Sequence, residues 1–164
     1  MKDALAFGKF MLEKTGLDFV KRVHEYNELV VDKIIEYLDR ELGGLQGRRV
    51  AVLGVSYKPG SPEVKDSPAI RLCKELLSRG ATVYIHDVNE EAVENAKSVL
   101  SRVEAVETVE KLREVDAVIV ALGYEEYKQL PSTVYDKALI IDMTGTVSRE
   151  KARRFYASNT RQRN

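Results

Sequence analysis

The feature that most constrains the fold is an alternation of short apolar runs with amphipathic helices, which begins at Arg48 and fills the rest of the chain. Runs rich in β-branched residues read as strands at 48–55, 82–87, 116–122 and 138–145, and a short segment at 103–107 is left without an assignment. Helical patterns separate them at 67–81, 89–100, 109–115 and 125–130. Apolar strands that are each followed by a crossover helix predict a parallel sheet covered on both faces. We therefore expect an α/β, Rossmann-like fold, with ligands at the carboxyl ends of the strands.

The first 46 residues contain no such strand runs and predict helix alone. Apolar residues recur there at spacings of three and four, which indicates an amphipathic helix of about 25 residues over positions 17–42. Gly43 and Gly44 are expected to end it. Its apolar positions cover more than one narrow stripe, so we expect a partner surface to cover part of it. The predicted organisation is a helical segment over 1–46, the Rossmann-like domain over 47–156 and a flexible tail over 157–164.

Composition excludes several classes of function. Lysine plus arginine and aspartate plus glutamate each number 26, so no overall positive charge favours nucleic acid or an acidic membrane surface. The single cysteine, Cys73, excludes an intramolecular disulfide and a thiolate-rich zinc site, and we expect no metal. No apolar run approaches the ~20 residues that span a bilayer, and the first residues do not resemble a signal peptide. A cytoplasmic location is the expectation.

The segment between the first strand and the next helix carries the strongest functional signal. The strand ends in Gly54, but the second and third glycines of a G-x-G-x-x-G motif are missing, which disfavours an ordinary NAD or FAD site. The crossing is long, at about twelve residues, and its prolines stiffen it. Ser67 is a good N-cap with Pro68 at the first helical position, so we expect free amides to face this segment. With Lys58 and Lys65 nearby, the site suits an anion such as a diphosphate.

Each of these residues also has a purely structural interpretation. Lys58 and Lys65 could be solvated lysines that pair with Glu63 and Asp66. Tyr57 could stack on a base or ribose, and it could equally pack against its own sheet.

The remaining nucleophilic or titratable candidates are isolated. Cys73 lies on or beside the apolar face of its helix and is predicted to pack in the core. His24 is expected on a helix surface or at an interface, and His86 at a strand end. Neither histidine has the spacing of a metal site or a catalytic triad. Asp87 ends a strand where a true NAD domain would carry its ribose-binding acid, but we expect it to be structural here.

The long segment resembles the pattern G-x-x-[FY]-K-P-x-[ST]-x-[DE]-x-[RK]-x-S-P, which is typical of the C-terminal domain of the nucleotide-sugar dehydrogenase family, the UDP-glucose/GDP-mannose dehydrogenases. The resemblance is collinear over residues 1–145. Lys2 and Asp3 are similar to the family's C-x-x-K-D helix start, and Asn27 to its mid-helix asparagine. Residues 115–130 are similar to its later strand and helix.

The resemblance implies an enzyme that oxidises the C6 hydroxyl of a UDP-sugar to a carboxylate in two NAD-dependent steps, through a cysteine-bound intermediate. The residues that match Tyr57 and Lys58 would contact UDP, with Lys65 and Ser67 also in the substrate-binding segment. Asp3 would assist proton transfer or orient water. The resemblance further implies a homodimer formed through the 17–42 helix.

The family's nucleophilic cysteine matches a position three residues before Lys2, and its NAD domain precedes that cysteine. We therefore expect these 164 residues to bind a UDP-sugar, to bind no NAD tightly, and to be inactive alone. A separate chain carrying the NAD domain is a further candidate partner.

Two departures from the family pattern leave the sugar open. Glu63 and Lys65 stand where many members have aspartate and arginine, which changes the available hydrogen-bond geometry. Residues 142–145 read Asp-Met-Thr-Gly where many UDP-glucose members have D-G-R, so an expected guanidinium is missing. A UDP-N-acetylmannosamine-type substrate remains open. Two other classes of function are a regulatory module that binds NAD or an adenine nucleotide, and a dimerisation scaffold with an empty pocket.

Overall fold

The computed structural model describes residues 2–16, 18–112 and 114–147. Within the helices, the side chains of residues 2–5, 19–21, 24, 27 and 28 fall outside this description. The predicted tail at 157–164 also lies outside the described residues.

Five parallel strands form the central sheet. They are β1 (Arg49–Leu53), β2 (Thr82–His86), β3 (Val103–Ala105), β4 (Ala117–Val120) and β5 (Leu139–Asp142). Their order in the sheet is β3-β2-β1-β4-β5, and Val52 at the centre is in register with Ile85 on one side and Ile119 on the other. The parallel, Rossmann-like sheet predicted from the apolar runs is confirmed. Since the chain crosses from β3 to β4 on the far side of β1, the switch point of the topology lies between β1 and β4.

Helices precede and connect these strands. They are α1 (Lys2–Thr15), α2 (Phe19–Leu42), α3 (Pro68–Ser78), α4 (Glu90–Val99) and α5 (Ser132–Lys137). The predicted long helix is present as α2, with 24 residues, and α1 is a separate helix before it. Gly43 ends α2 in the left-handed conformation, and its amide and that of Gly44 bond to Arg40 and Asp39 carbonyls. This is the C-terminal cap that the two glycines predicted.

Two predicted helices are shorter than their sequence patterns suggested. The described residues of 109–115 and of 125–130 contribute only single 3₁₀ turns, at Val109–Lys111 and Glu125–Tyr127. Each turn nevertheless buries the apolar pair that produced the pattern, Val109 with Leu112 and Tyr127 with Leu130. A spacing of three suits one tight turn as well as a helix, which explains the difference. Helix α5 was not anticipated from the sequence.

The two faces of the sheet carry separate cores. Alternate residues of β1 point to opposite faces, with Val50 and Val52 on one side and Ala51 and Leu53 on the other. Helices α2, α3 and α4 contribute to the first core, and the two 3₁₀ turns and α5 contribute to the second. Both faces are thus covered, as predicted. Among the described residues, no helix combines the length and apolar character that a bilayer crossing requires.

The two halves of α2 have different surroundings. Towards its C-terminal end, Ile34 and Leu38 are fully buried in the first core. Nearer its N-terminal end, Val23, Tyr26 and Leu29 are 42%, 61% and 52% exposed. The described residues therefore cover only part of the apolar surface noted in the sequence.

Candidate functional site

The segment that joins β1 to α3, residues 54–67, leaves the sheet at its switch point. Gly54 has a φ of +84°, and a Cβ built on it would lie 2.5 Å from the Cβ of Leu122 and 2.8 Å from the Leu122 backbone nitrogen. Only glycine permits both this conformation and this approach. The connections that follow β1 and β4 consequently touch at the carboxyl edge, where an open α/β sheet places its ligands.

Asp87, which follows β2, organises the start of this segment. The residue is 4% exposed. Its Oδ2 accepts hydrogen bonds from the backbone nitrogen and the hydroxyl of Ser56, both at 2.9 Å. Its Oδ1 accepts from the backbone nitrogen of Asn89 at 3.0 Å and from the hydroxyl of Tyr124 at 3.1 Å. Four donors satisfy this carboxylate, so Asp87 has the structural role expected of it.

Further contacts fix the middle and end of the segment. The Gly60 amide donates to the Tyr124 hydroxyl at 3.1 Å. The Tyr57 amide donates to the Glu63 carbonyl at 2.7 Å, and the Ser67 hydroxyl donates to the Ser56 carbonyl at 3.2 Å. The backbone is therefore tied to its surroundings on both sides of Lys58.

The lysines and the tyrosine of the predicted site point outwards. Tyr57 is 47% exposed, and Lys58 and Lys65 are exposed as well. Neither lysine forms an ion pair with any residue in the described part of the chain, so the predicted alternative, pairing with Glu63 and Asp66, does not occur there. The Glu63 carboxylate instead accepts from the backbone nitrogen of Lys65 at 2.7 Å.

Ser67 caps α3, as its sequence context predicted, and the cap uses the amides that the sequence suggested would be free. The Ser67 hydroxyl accepts from the Ala69 nitrogen at 3.2 Å, and Pro68 at the first helical position has no N–H. The nitrogens of Ile70 and Arg71 donate to the Ser67 carbonyl. The expectation of free amides at this helix end is wrong, because Ser67 is 3% exposed and satisfies them itself. The start of α3 therefore offers no free amide to an anion among residues 69–71.

An open cavity of about 600 Å³ lies beside the segment. Residues 62–66, Ile70 and Lys74 of α3, and Asn95 and Val99 of α4 contribute to its lining. Lys65 lines this groove, whereas Lys58 is not among its lining residues. Asn95 closes one side by donating from its amide to the Pro62 carbonyl at 3.0 Å.

The other predicted residues are distributed as follows. Asp3 and Lys2 begin α1, and His24 and Asn27 lie in α2, but the side chains of all four are outside the described set. Cys73 is fully buried, and burial raises the pKa of its thiol to about 12, which confirms a core role. Among the described residues, no three histidine, cysteine or acidic side chains are grouped as a metal site requires.

Sequence reasoning missed the pairing of His86 with Tyr127. His86 Nδ1 lies 2.9 Å from the Tyr127 hydroxyl, and the two rings meet edge to face with centroids 5.5 Å apart. Tyr127 is fully buried. Burial lowers the pKa of His86, and the neighbouring Asp87 carboxylate offsets only part of that effect. The clue in the sequence is weak, since 41 residues separate the partners.

This pairing predicts a stability that falls on acidification. Because the His86 pKa is lower in the folded state, the unfolded chain binds the proton more readily, so stability decreases as the pH falls through the usual histidine value of about 6.5. Thermal melts of wild type and His86→Asn should show a smaller loss of Tm for the variant between about pH 7.5 and about pH 5.5. Asparagine keeps an acceptor for Tyr127 without titrating. Equal losses in both proteins would contradict this assignment.

The carboxyl edge does not fit NAD. A dinucleotide site of the usual kind needs a glycine-rich turn after the first strand and a free carboxylate after the second. Here Gly54 stands without the other two glycines, and the Asp87 carboxylate is already occupied by four donors. An exposed, pre-shaped segment with a free lysine can bind a diphosphate through side chains, without the helix amides that hold the pyrophosphate of a dinucleotide.

Comparison with known proteins gives a consistent result. Residues 51–149 match the family model described as UDP-glucose/GDP-mannose dehydrogenase family, UDP binding domain. UDP-glucose 6-dehydrogenase of Rickettsia conorii is 32% identical over 173 aligned residues, which cover 95% of this chain and 39% of the relative. UDP-glucose 6-dehydrogenase YwqF of Bacillus subtilis is 31% identical over 71% of this chain and 26% of its own length. The chain thus spans about two fifths of the length of the first relative and about a quarter of the length of the second.

Solved structures agree with the sequence relatives. A UDP-glucose dehydrogenase from the hyperthermophilic archaeon Pyrobaculum islandicum superimposes with a TM-score of 0.71 at 37% identity, over 86% of this chain and 32% of that one. GDP-mannose dehydrogenase from Pseudomonas aeruginosa gives a TM-score of 0.67 at 20% identity, over 93% of this chain and 37% of that one. The second likeness concerns the fold alone.

Proposed function

Because this chain belongs to the UDP-glucose/GDP-mannose dehydrogenase family and contains its UDP binding domain, we propose that residues 54–67 bind the UDP part of a nucleotide sugar. The single observation that carries the proposal is the state of Lys58. Its ammonium is exposed and has no ion-pair partner among the described residues, while the backbone on both sides of it is fixed. A diphosphate would gain a cation without breaking an existing pair.

The other predicted residues have distinct roles in this proposal. Tyr57, about half exposed beside Lys58, would stack on the uracil or the ribose. Lys65 would add positive charge from the neighbouring groove. Ser67 would support the site by holding the Ser56 carbonyl and capping α3, since its hydroxyl already has partners on both sides.

We propose that the nucleotide sugar is UDP-glucose. A full-length enzyme of this family would oxidise it at C6 to give UDP-glucuronate. NAD and a nucleophilic cysteine would be supplied from outside these 164 residues, in the same polypeptide or a separate chain. Asp3 would then assist proton transfer or orient water. We also propose a cytoplasmic location, which the single cysteine, Cys73, favours because a reducing compartment keeps thiols free.

UDP-N-acetylmannosamine is the second candidate, and the turn after β5 favours it. Asp142 Oδ1 accepts from the nitrogens of Thr144 and Gly145, both at 2.9 Å, and its Oδ2 accepts from the Val147 nitrogen at 2.9 Å. These bonds shape a compact turn that carries no cation at residues 143–147. A UDP-glucose site that depends on a guanidinium at this position would lack it here.

We also propose that two copies of the chain associate through α2. The exposed apolar residues Val23, Tyr26 and Leu29 lie on the N-terminal half of this helix. In a two-fold symmetric dimer, this patch on each copy would be buried against the same patch on the other. Light scattering should give the mass of a dimer for wild type and of a monomer for Leu29→Glu. Val99→Glu, at an equally exposed apolar residue of α4, should remain dimeric. A monomeric wild type would rule the association out.

Calorimetric titration of the chain with UDP, UDP-glucose, UDP-N-acetylmannosamine and NAD tests the binding proposal. We expect heat with the three uridine ligands, in an order that identifies the sugar, and none with NAD. Preferential binding of NAD would favour the regulatory module instead. A dimer that binds none of the four would favour the scaffold.

A further inference from the structure

The Tyr124 hydroxyl joins the ligand segment to the rest of the fold. We infer that Tyr124 is a positioning residue: its hydroxyl, held by Asp87, presets the backbone that presents Tyr57 and Lys58. This inference rests on the proposed function, since it assigns a residue that need not touch the nucleotide. Tyr124 follows β4, whereas the ligand segment follows β1, and 64 residues separate Gly60 from Tyr124 in sequence.

Both ends of the stretch 56–60 are tied to one carboxylate. Ser56 is bound to Asp87 directly, through its amide and its hydroxyl at 2.9 Å. Gly60 is bound through Tyr124, whose hydroxyl accepts from the Gly60 amide at 3.1 Å and donates to Asp87 at 3.1 Å. The two ends of the stretch that contains Lys58 are therefore held by Asp87 and Tyr124, which both lie outside the stretch in sequence.

The bridge rests on rigid elements. Asp87 is buried at the end of β2 and also accepts from the Asn89 amide. The Tyr124 ring meets the ring of the fully buried Tyr127 edge to face, with centroids 5.4 Å apart. A hydroxyl held by a buried carboxylate on one side and a packed ring on the other has little freedom to move. Its bond to Gly60 transmits this rigidity to the segment.

Fixing the backbone before the ligand arrives lowers the entropy lost on binding. Without the Tyr124 hydroxyl, Gly60 would lose its partner, and glycine is the residue whose backbone gains most freedom when released. Lys58 would then sample positions away from the phosphates. The expected consequence is weaker nucleotide binding with an unchanged fold.

Tyr124→Phe is the variant that isolates the hydroxyl, since the ring and its packing remain. Calorimetry with UDP should give an affinity about 3- to 10-fold weaker than wild type, the range expected for one hydrogen bond. Tyr135→Phe is the matched control, because the Tyr135 hydroxyl also accepts a backbone amide, that of Leu130 at 3.2 Å, away from the ligand segment. Tyr135→Phe should bind UDP like wild type.

Two readouts separate positioning from general loss of stability. Hydrogen exchange followed by NMR should accelerate at Gly60 in Tyr124→Phe while the amide of Val52 in β1 keeps its protection. In a double-mutant cycle, Tyr124→Phe should weaken UDP binding much less when both side chains that the hydroxyl positions are removed, in a Tyr57→Ala/Lys58→Ala background.

Equal UDP affinity in wild type and Tyr124→Phe would overturn the inference and leave the proposed function standing. Additive effects in the cycle, or accelerated exchange throughout β1, would overturn it as well by showing a general structural role. A wild type that does not bind UDP would instead remove the proposed function, and the inference with it.

Discussion

Replacing Gly54 with alanine should lower the free energy of unfolding by about 3 kcal/mol, through two effects that add. A left-handed φ of +84° strains any residue that has a side chain. The new Cβ would also fall 2.5 Å from the Leu122 Cβ and 2.8 Å from the Leu122 backbone nitrogen, where only movement of the backbone relieves the overlap. Urea unfolding of wild type and variant measures the difference.

Gly47→Ala separates the two effects. Gly47 has a similar φ of +73°, but a Cβ there would have no atom within 4 Å. Its substitution should cost about 1 kcal/mol, the strain alone. If both variants lost the same stability, the close approach between Gly54, which follows β1, and Leu122, which follows β4, would not be the reason that position 54 requires glycine.

Lys58→Ala should weaken UDP binding by about 10- to 100-fold, the loss expected for a charge-assisted bond to phosphate. The side chain is exposed and unpaired within the described residues, so its removal should leave Tm nearly unchanged. Calorimetry at two salt concentrations should also show a weaker salt dependence for the variant, since one cation no longer faces the diphosphate.

Lys137→Ala provides the matched control for this result. Lys137 is also exposed and has no ion pair among the described residues, but it ends α5 just before β5, at the amino edge of the sheet. Its loss should leave UDP affinity unchanged while removing the same charge. Equal weakening by both variants would indicate attraction by overall charge instead of a contact at Lys58.

The fold could be predicted from the sequence because its signals are local. Strands β1, β2, β4 and β5 each contain an uninterrupted apolar run, whereas β3 is short and largely exposed. Ser67 with Pro68 specifies the start of α3 within two residues. Segments whose apolar residues recur only once or twice were less informative. The pattern at 125–130 comes from Tyr127 and Leu130, and one 3₁₀ turn satisfies it as fully as a helix would.

The candidate site could be predicted only in part. Motif and loop length located residues 54–67, but the contacts that shape them connect strands far apart in sequence. Asp87 meets Ser56 across 31 residues and Tyr124 across 37. Pairings of this kind arise from the register of the sheet, which no local pattern encodes. The same limitation explains the wrong expectation about the α3 amides, since the burial of Ser67 decides whether they are free.

The burial of Cys73 has a practical consequence for following the ligand segment in solution. Burial raises the pKa of the Cys73 thiol to about 12, so the thiol stays protonated at neutral pH, and the side chain has no exposed surface. Maleimide reagents attack thiolates they can reach, so the native protein offers them almost nothing. Ser61→Cys, at a half-buried position of the ligand segment, would therefore accept a fluorophore selectively without removal of Cys73. The native protein therefore has no accessible cysteine that would compete for the label.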